Sequence, residues 1–287
     1  MMPYSILSFC SQCIQNYIAF SSLSGRSLKS LEADCSIYSK QMKEFKQLLT
    51  FESTLPFWQS ALNLMGLSEN TTLLQGEAVL DPEEFLNRRD TPILVALMQG
   101  QQSRLYVIFG DHKKGANLSM TNCCDISKVS PSFMTALFYG GISCFEMARK
   151  TKERKYKKHA KKIHSTIKSW VRKGNPNVMH YDRLFDAEKA ALGGKSKEAE
   201  KHYQSAVTIA ARGGFVHDAA LANERYGEFL LRDMSDQQEA AFRFEQAIKF
   251  YSEWGALKKV ELLREQYSNF WPQPIEISFN LQPAGLP

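Results

Sequence analysis

The triplet Gly194-Lys195-Ser196, in "LGGKSKEA", is where this chain comes nearest to phosphate chemistry. A phosphate-cradling loop needs another Gly five residues before its last Gly and a strand leading in, so that successive N–H groups curl around the anion. That earlier position is Lys189, inside a helical pattern, and the triplet reads instead as a hairpin turn. Gly193-Gly194 would end one helix, and Ser196 would cap the next with Ala199 pointing inward. Protein-kinase chemistry needs a Gly-rich loop, a His-Arg-Asp catalytic loop with a downstream Asn, and Asp-Phe-Gly for magnesium. "NRRD" at 87–90 only echoes the second, and "FGD" at 109–111 inverts the third. A serine-hydrolase elbow, zinc histidines paired on one helix face and a calcium loop are missing too. His159 and His164 lie five residues apart, on different helix faces.

Thiols and carboxylates suggest little more. Cys10 and Cys13 form a lone CxxC inside a helical pattern, Cys123 and Cys124 are adjacent, and Cys35 and Cys144 stand alone. Neither a zinc site nor a redox motif has its required surroundings, so reduced thiols are expected. Asp182, Asp186 and Glu188 follow a helix start, where acids suit the positive dipole end, while Glu198 and Glu200 flank the inward Ala199 and point to solvent. No catalytic residue, cofactor or metal ligand is assigned.

The most distinctive local feature is charge. The chain is +6 overall, yet 149–173 holds twelve Lys or Arg against the single acid Glu153, which makes that segment +11 and the remainder −5. On 155–173, Tyr156, Ala160, Ile163, Ile167 and Trp170 form an apolar stripe beside Lys155, Lys157, Lys158, Lys161 and Lys162. Such a helix is either the solvated face of a repeat or a surface for anionic lipid or calmodulin. Nucleic acid is disfavoured, because no aromatic-interleaved binding motif accompanies the charge.

The elements that carry these residues are helices. Apolar residues recur at three- and four-residue steps, and strand alternation is nearly absent. Leu28, Leu31, Cys35, Tyr38, Met42, Phe45 and Leu49 line one face, and further helices are expected over 5–22, 54–65, 82–89, 92–109, 131–149, 155–173, 177–192, 196–212, 216–232, 236–254 and 256–268. The tetratricopeptide pattern Ala-x3-aromatic-x2-Ala, in which small residues permit close helix approach, occurs twice. Ala199, Tyr203 and Ala206 are followed 41 residues later by Ala240, Phe244 and Ala247, and Ala160, His164 and Ile167 form a looser copy 39 residues before. The fold class expected is all-α, a tetratricopeptide-like right-handed superhelix of hairpins with a period near 40. Tyr251 continues the inward face of the last copy, Gly255 would stop its helix in the left-handed conformation, and Trp254 would cover the groove end. A terminal capping helix would then bury Ala256, Val260, Leu263 and Tyr267 and leave Lys258, Lys259, Glu261, Arg264 and Glu265 mainly outside. In domain terms, 1–24 is an N-terminal helix of the first hairpin, and 25–130 holds irregular repeats with a long loop at 110–130. The regular repeats and capping helix occupy 131–268, and 269–287 is a Pro-rich extended tail. With 44% apolar and 23% charged residues, no uninterrupted apolar span and no secretory signal pattern, the expected compartment is the cytoplasm.

Asn175-Pro176, Ala187-Glu188, Tyr203 with Ala206, "GFVHDAALANER" from Gly214 to Arg225, and Tyr251 with Trp254-Gly255-Ala256 resemble the helical region that follows the AAA-type ATPase module in large serine/threonine-kinase and histidine-kinase hybrid signalling proteins. "ALNLMG" and "LLQGEA" extend the likeness back through 61–78. The resemblance implies a sensor or scaffold arm normally flanked by catalytic domains. Kinase, ATPase and GAF-like segments are lacking here, so a noncatalytic interaction module with protein partners is expected. The alternative is a regulatory fragment of an ATP-dependent kinase.

Overall fold

A computed structural model describes residues 4–87, 91–121 and 131–270. The described residues form thirteen α-helices and no sheet. In chain order these are α1 (Tyr4–Leu23), α2 (Leu28–Glu44), α3 (Leu48–Met65), α4 (Pro82–Asn87), α5 (Pro92–Ile108), α6 (His112–Thr121) and α7 (Pro131–Thr151). They continue as α8 (Arg154–Arg172), α9 (Met179–Leu192), α10 (Ser196–Arg212), α11 (Val216–Phe229), α12 (Gln237–Trp254) and α13 (Leu257–Gln266). Sequential antiparallel pairs dominate the packing, notably α2 with α3, α7 with α8, α9 with α10 and α11 with α12. None of the described helices is long and apolar enough to cross a membrane. The tail beyond Phe270, residues 122–130 with Cys123 and Cys124, and the last three residues of "NRRD" lie outside the described residues.

The Ala-aromatic-Ala residues form the seams of this array. Ala199, Tyr203 and Ala206 on α10, and Ala240, Phe244 and Ala247 on α12, are fully buried. Tyr203 stacks on Tyr226 of α11 with ring centroids 5.5 Å apart. Phe244 lies so close to Gly227 of α11 that a Cβ there would meet its ring at 2.7 Å, so the aromatic fixes a neighbouring position as glycine. An aromatic side chain packed this completely is worth about 3–5 kcal/mol against truncation. At the end of α12, Gly255 has φ +95° and Ala256 donates its N–H to the Tyr251 carbonyl at 2.9 Å, closing the helix as the left-handed cap requires. Trp254 is buried and packs 5.2 Å from the His217 ring. Asp236 begins α12 by accepting the Glu239 N–H at 3.0 Å.

The array also joins back to its own start. α13 packs on α3, Gly255 faces Leu28, and Gly66 faces Lys258. One core cluster therefore combines α1 to α5 with residues of α11 to α13, and a second runs through α6 to α12.

Several boundaries differ from expectation, each with a local cause. Residues 112–121, expected within an aperiodic loop, form α6 and bury Gly115 and Ala116 on α7. α2 stops at Glu44 because Lys46 turns through φ +56°, which leaves Phe45 and Leu49 exposed instead of extending the buried stripe. α3 starts six residues earlier than periodicity suggests. At α10, Lys195 occupies the cap position and Ser196 is already helical; the Lys195 ammonium instead pairs with Glu198 at 3.0 Å. α11 ends at Phe229 in a widened turn over Leu230–Met234, reversed by Ser235 at φ +54°. Lys259, expected outside, is buried.

Candidate binding cavity

Buried charge, rather than any catalytic motif, distinguishes the interior. Arg225 on α11 has 3% of its side chain exposed and uses all three nitrogens on carboxylates. Its Nε donates to Glu188 Oε1 on α9 at 2.8 Å, Nη1 to Glu228 Oε2 at 2.6 Å and Nη2 to Glu146 Oε2 on α7 at 2.8 Å. Arg149, one turn after Glu146, bridges Glu146 Oε2 and Glu188 Oε2 at 2.6 Å each. Beside them, Glu224 accepts from Lys259 Nζ of α13 at 2.6 Å and from the Tyr251 hydroxyl of α12 at 2.8 Å. The guanidiniums thus tie together α7, α9 and α11, and Glu224 ties the same α11 to α12 and α13.

Titration follows from that geometry. Burial works against ionised Glu188, but Arg225 and Arg149 outweigh it and hold the carboxyl down to about 2. Burial opposes ionised Glu146 too, and the same two guanidiniums hold it well below the usual carboxylate range. Glu228 goes the other way: burial lifts it, Arg225 only partly offsets this, and neighbouring Glu224 and Glu146 add repulsion.

Over this network opens a cavity of about 580 Å³, walled by the end of α5, the start of α6, and α7, α11 and α13. Leu231, Leu262 and Tyr267 supply its apolar surface, and Lys150, Arg232 and Glu265 lie exposed among its lining residues. His112 also lines it, with an Nδ1 that has no hydrogen-bond partner among the described residues; burial first, then Arg225, lowers its pKa to about 3 and keeps the ring neutral near pH 7.

A second polar cluster lies deeper. Arg104 donates to Ser22 Oγ at 2.8 Å and faces the Tyr139 ring, while His180 Nε2 sits 2.8 Å from Asp218 Oδ2. His217 packs against the bend at Gly25, and burial lowers its pKa to about 4. Elsewhere, His164, Asp182 and Asp186 place ligand atoms within 4.8 Å of one another. The distances would suit a cation, but Lys168 Nζ already lies 2.9 Å from Asp186, and His164 Nε2 lies 3.0 Å from Asp182.

The residues singled out from sequence do not form a site together. Ala199, Tyr203, Ala206, Ala240, Phe244, Ala247, Tyr251 and Trp254 are core, and only Tyr251 touches the charged network. Lys155, Lys157, Lys158, Lys161 and Lys162 lie exposed on α8, with Lys155 held 2.7 Å from Glu153. The apolar stripe of that helix is packed against α7 and α9, with Tyr156, Ala160, Ile163 and Ile167 buried. Sequence reasoning missed Glu146, Arg149, Glu224, Arg225, Glu228 and Lys259, and treated Glu188 as a dipole-stabilising acid. The available signal was within "VHDAALANERYGEF": polar pairs His217-Asp218 and Glu224-Arg225, seven residues apart in an Ala-rich helix, share its inward side.

Fold and cavity together define a class, an all-α array of helical hairpins with a charged internal recess. No protein-family model, curated protein or solved structure matches the chain.

Proposed function

We propose that this chain is a noncatalytic, tetratricopeptide-like superhelical module for signalling, and that the cavity receives a segment of a protein partner. The observation that carries this reading is the 580 Å³ recess over a fixed ion-pair network. Glu146, Glu224 and Arg225, each held by two or three partners, are oriented before a ligand arrives, which reduces the ordering cost of binding. Glu146 and Glu188 are held ionised by guanidiniums and so are poor proton shuttles near neutral pH. Sequential antiparallel hairpins with Ala-aromatic-Ala seams support the superhelical description. The partner segment is the reading's commitment; an ATP-dependent kinase would need catalytic parts beyond those found here.

Selection of a displayed random-peptide library on the immobilised full chain tests it. Enriched peptides should lose at least about tenfold in affinity when the recess is filled by Leu262→Trp in a variant with unchanged helicity. Enrichment of nothing, or of peptides indifferent to that substitution, would refute it. The lysine face of α8 adds an electrostatic contact for anionic lipid. Its apolar stripe is occupied within the fold, so an insertion or calmodulin-wrapping mode would first have to unpack it.

A further inference from the structure

The sign of the recess decides what chemistry it accepts, and this inference rests on the proposed function above. Four carboxylates, Glu146, Glu188, Glu224 and Glu228, meet three buried cations, Arg149, Arg225 and Lys259. Both oxygens of Glu188 and both of Glu224 are bonded. Glu146 Oε2 takes two guanidiniums, and its Oε1 has Lys150 at 3.7 Å, reaching in from a side chain 60% exposed. Glu228 Oε2 takes Arg225, but among the described residues no donor reaches Oε1, and a quarter of this side chain is open to solvent. Arg225 has no nitrogen left, and Lys259 is committed to Glu224. An anionic ligand would therefore find no uncommitted buried cation, whereas a cationic one would find an unfilled acceptor at Glu228 Oε1.

We propose that the recess takes a basic side chain of the partner, a lysine ammonium or arginine guanidinium, whose donors bond Glu228 Oε1 while its alkyl stem lies on Leu231, Leu262 and Tyr267. Those three residues line the same recess. Long basic side chains bury their stems on apolar surface in this way, and a charge-assisted bond to a half-desolvated carboxylate discriminates strongly against an uncharged isostere. Burial first raises the Glu228 pKa from its ordinary value, Arg225 offsets this in part, and repulsion from Glu224 and Glu146 adds to the rise.

The test is a titration of the full chain, followed by 1H–15N correlation spectra, with capped Ala-Arg-Ala, Ala-Lys-Ala and Ala-norleucine-Ala peptides and with n-butylammonium. The two basic peptides should shift amides of α11 and α13 and bind about tenfold or more tighter than the norleucine peptide, on the scale of one charge-assisted hydrogen bond. Glu228→Gln, isosteric and still able to accept from Arg225, should erase that preference. Glu228→Asp, checked for folding by its melting temperature, provides the charge-preserving control and should retain it. Equal affinity for arginine and norleucine peptides, or a preference that survives Glu228→Gln, overturns the proposal while leaving a peptide-binding module intact. Binding of n-butylammonium as tightly as the peptides assigns the site to a free amine and overturns the partner side chain. If no peptide binds here and the library selection is also empty, both readings fall.

Discussion

Replacing Arg225 by Met isolates what the buried network contributes. The substitution keeps much of the side-chain volume and removes three bonds, to Glu188, Glu228 and Glu146. Arg149 still reaches Glu188 and Glu146, so those two carboxylates keep one cation between them, and Glu228 keeps none of the buried ones. Breaking a buried ion pair from one side costs about 3–5 kcal/mol, mostly the price of stranding the other charge. In a chain of this size, each kcal/mol shifts the melting temperature by roughly 2 °C, so the loss should be roughly 6–10 °C.

The dependence on pH is the sharper signature. In the native protein, the folded pKa values of Glu188 and Glu146 lie below the ordinary carboxylate value of 4.5. Their contribution is complete above that value and is lost as pH falls through the folded value, which for Glu188 is about 2. Glu228, raised above 4.5, has the opposite sign, and its protonated form already favours folding at low pH. Without Arg225, burial dominates at Glu228 and weakens the depression at the other two. Stability of the variant should therefore rise on acidification from pH 7 towards 5, where the native protein changes much less. Urea denaturation followed by circular dichroism across that range would measure both. A deficit under about 1 kcal/mol, or a variant whose stability falls in parallel with the native protein, would refute the network's role.

Two further substitutions test other levels of the fold. Gly255→Val should cost roughly 1–3 kcal/mol of unfolding free energy, because a β-branched residue must adopt positive φ; the nearest side-chain atom, Leu28 Cβ, lies 3.6 Å from a built Cβ, so space is not the cause. An unchanged urea midpoint would contradict that account. Reversing Lys157, Lys158, Lys161 and Lys162 to Glu should abolish binding to vesicles rich in anionic lipid at low salt, with the melting temperature nearly unchanged, since lysines near such a surface contribute about 1 kcal/mol each. Sedimentation with vesicles that is insensitive to the reversal or to salt would remove that surface from consideration.

Helices were legible wherever a residue's role is set by neighbours three or four positions away. Ala199, Tyr203 and Ala206 mark their seam because contact along one helix face repeats in the sequence itself, and Gly255 marks a helix end because positive φ is a local demand. The charged network is not local. Arg225 meets Glu188 across 37 residues and Glu146 across 79, so each looks in isolation like an ordinary surface charge. α6 was obscured for another reason: its ten residues bury only His112, Gly115 and Ala116, too little apolar surface to print a period.

The basic helix shows how far a pattern can carry an inference. An amphipathic segment with lysines on one side and Tyr156, Ile163 and Ile167 on the other has the same sequence signature whether its apolar side meets a membrane, calmodulin or a neighbouring helix. The fold assigns that side to α7 and α9. Full burial of each of those three side chains is worth about 1.5–3 kcal/mol, so withdrawing the helix to present its stripe elsewhere would cost roughly 5 kcal/mol or more before any new contact formed. The exposed lysines remain available without that cost. Any anionic partner of α8 should therefore be held by charge alone and released by salt, whereas a partner in the charged recess, closed in by five structural segments, should be far less sensitive to ionic strength.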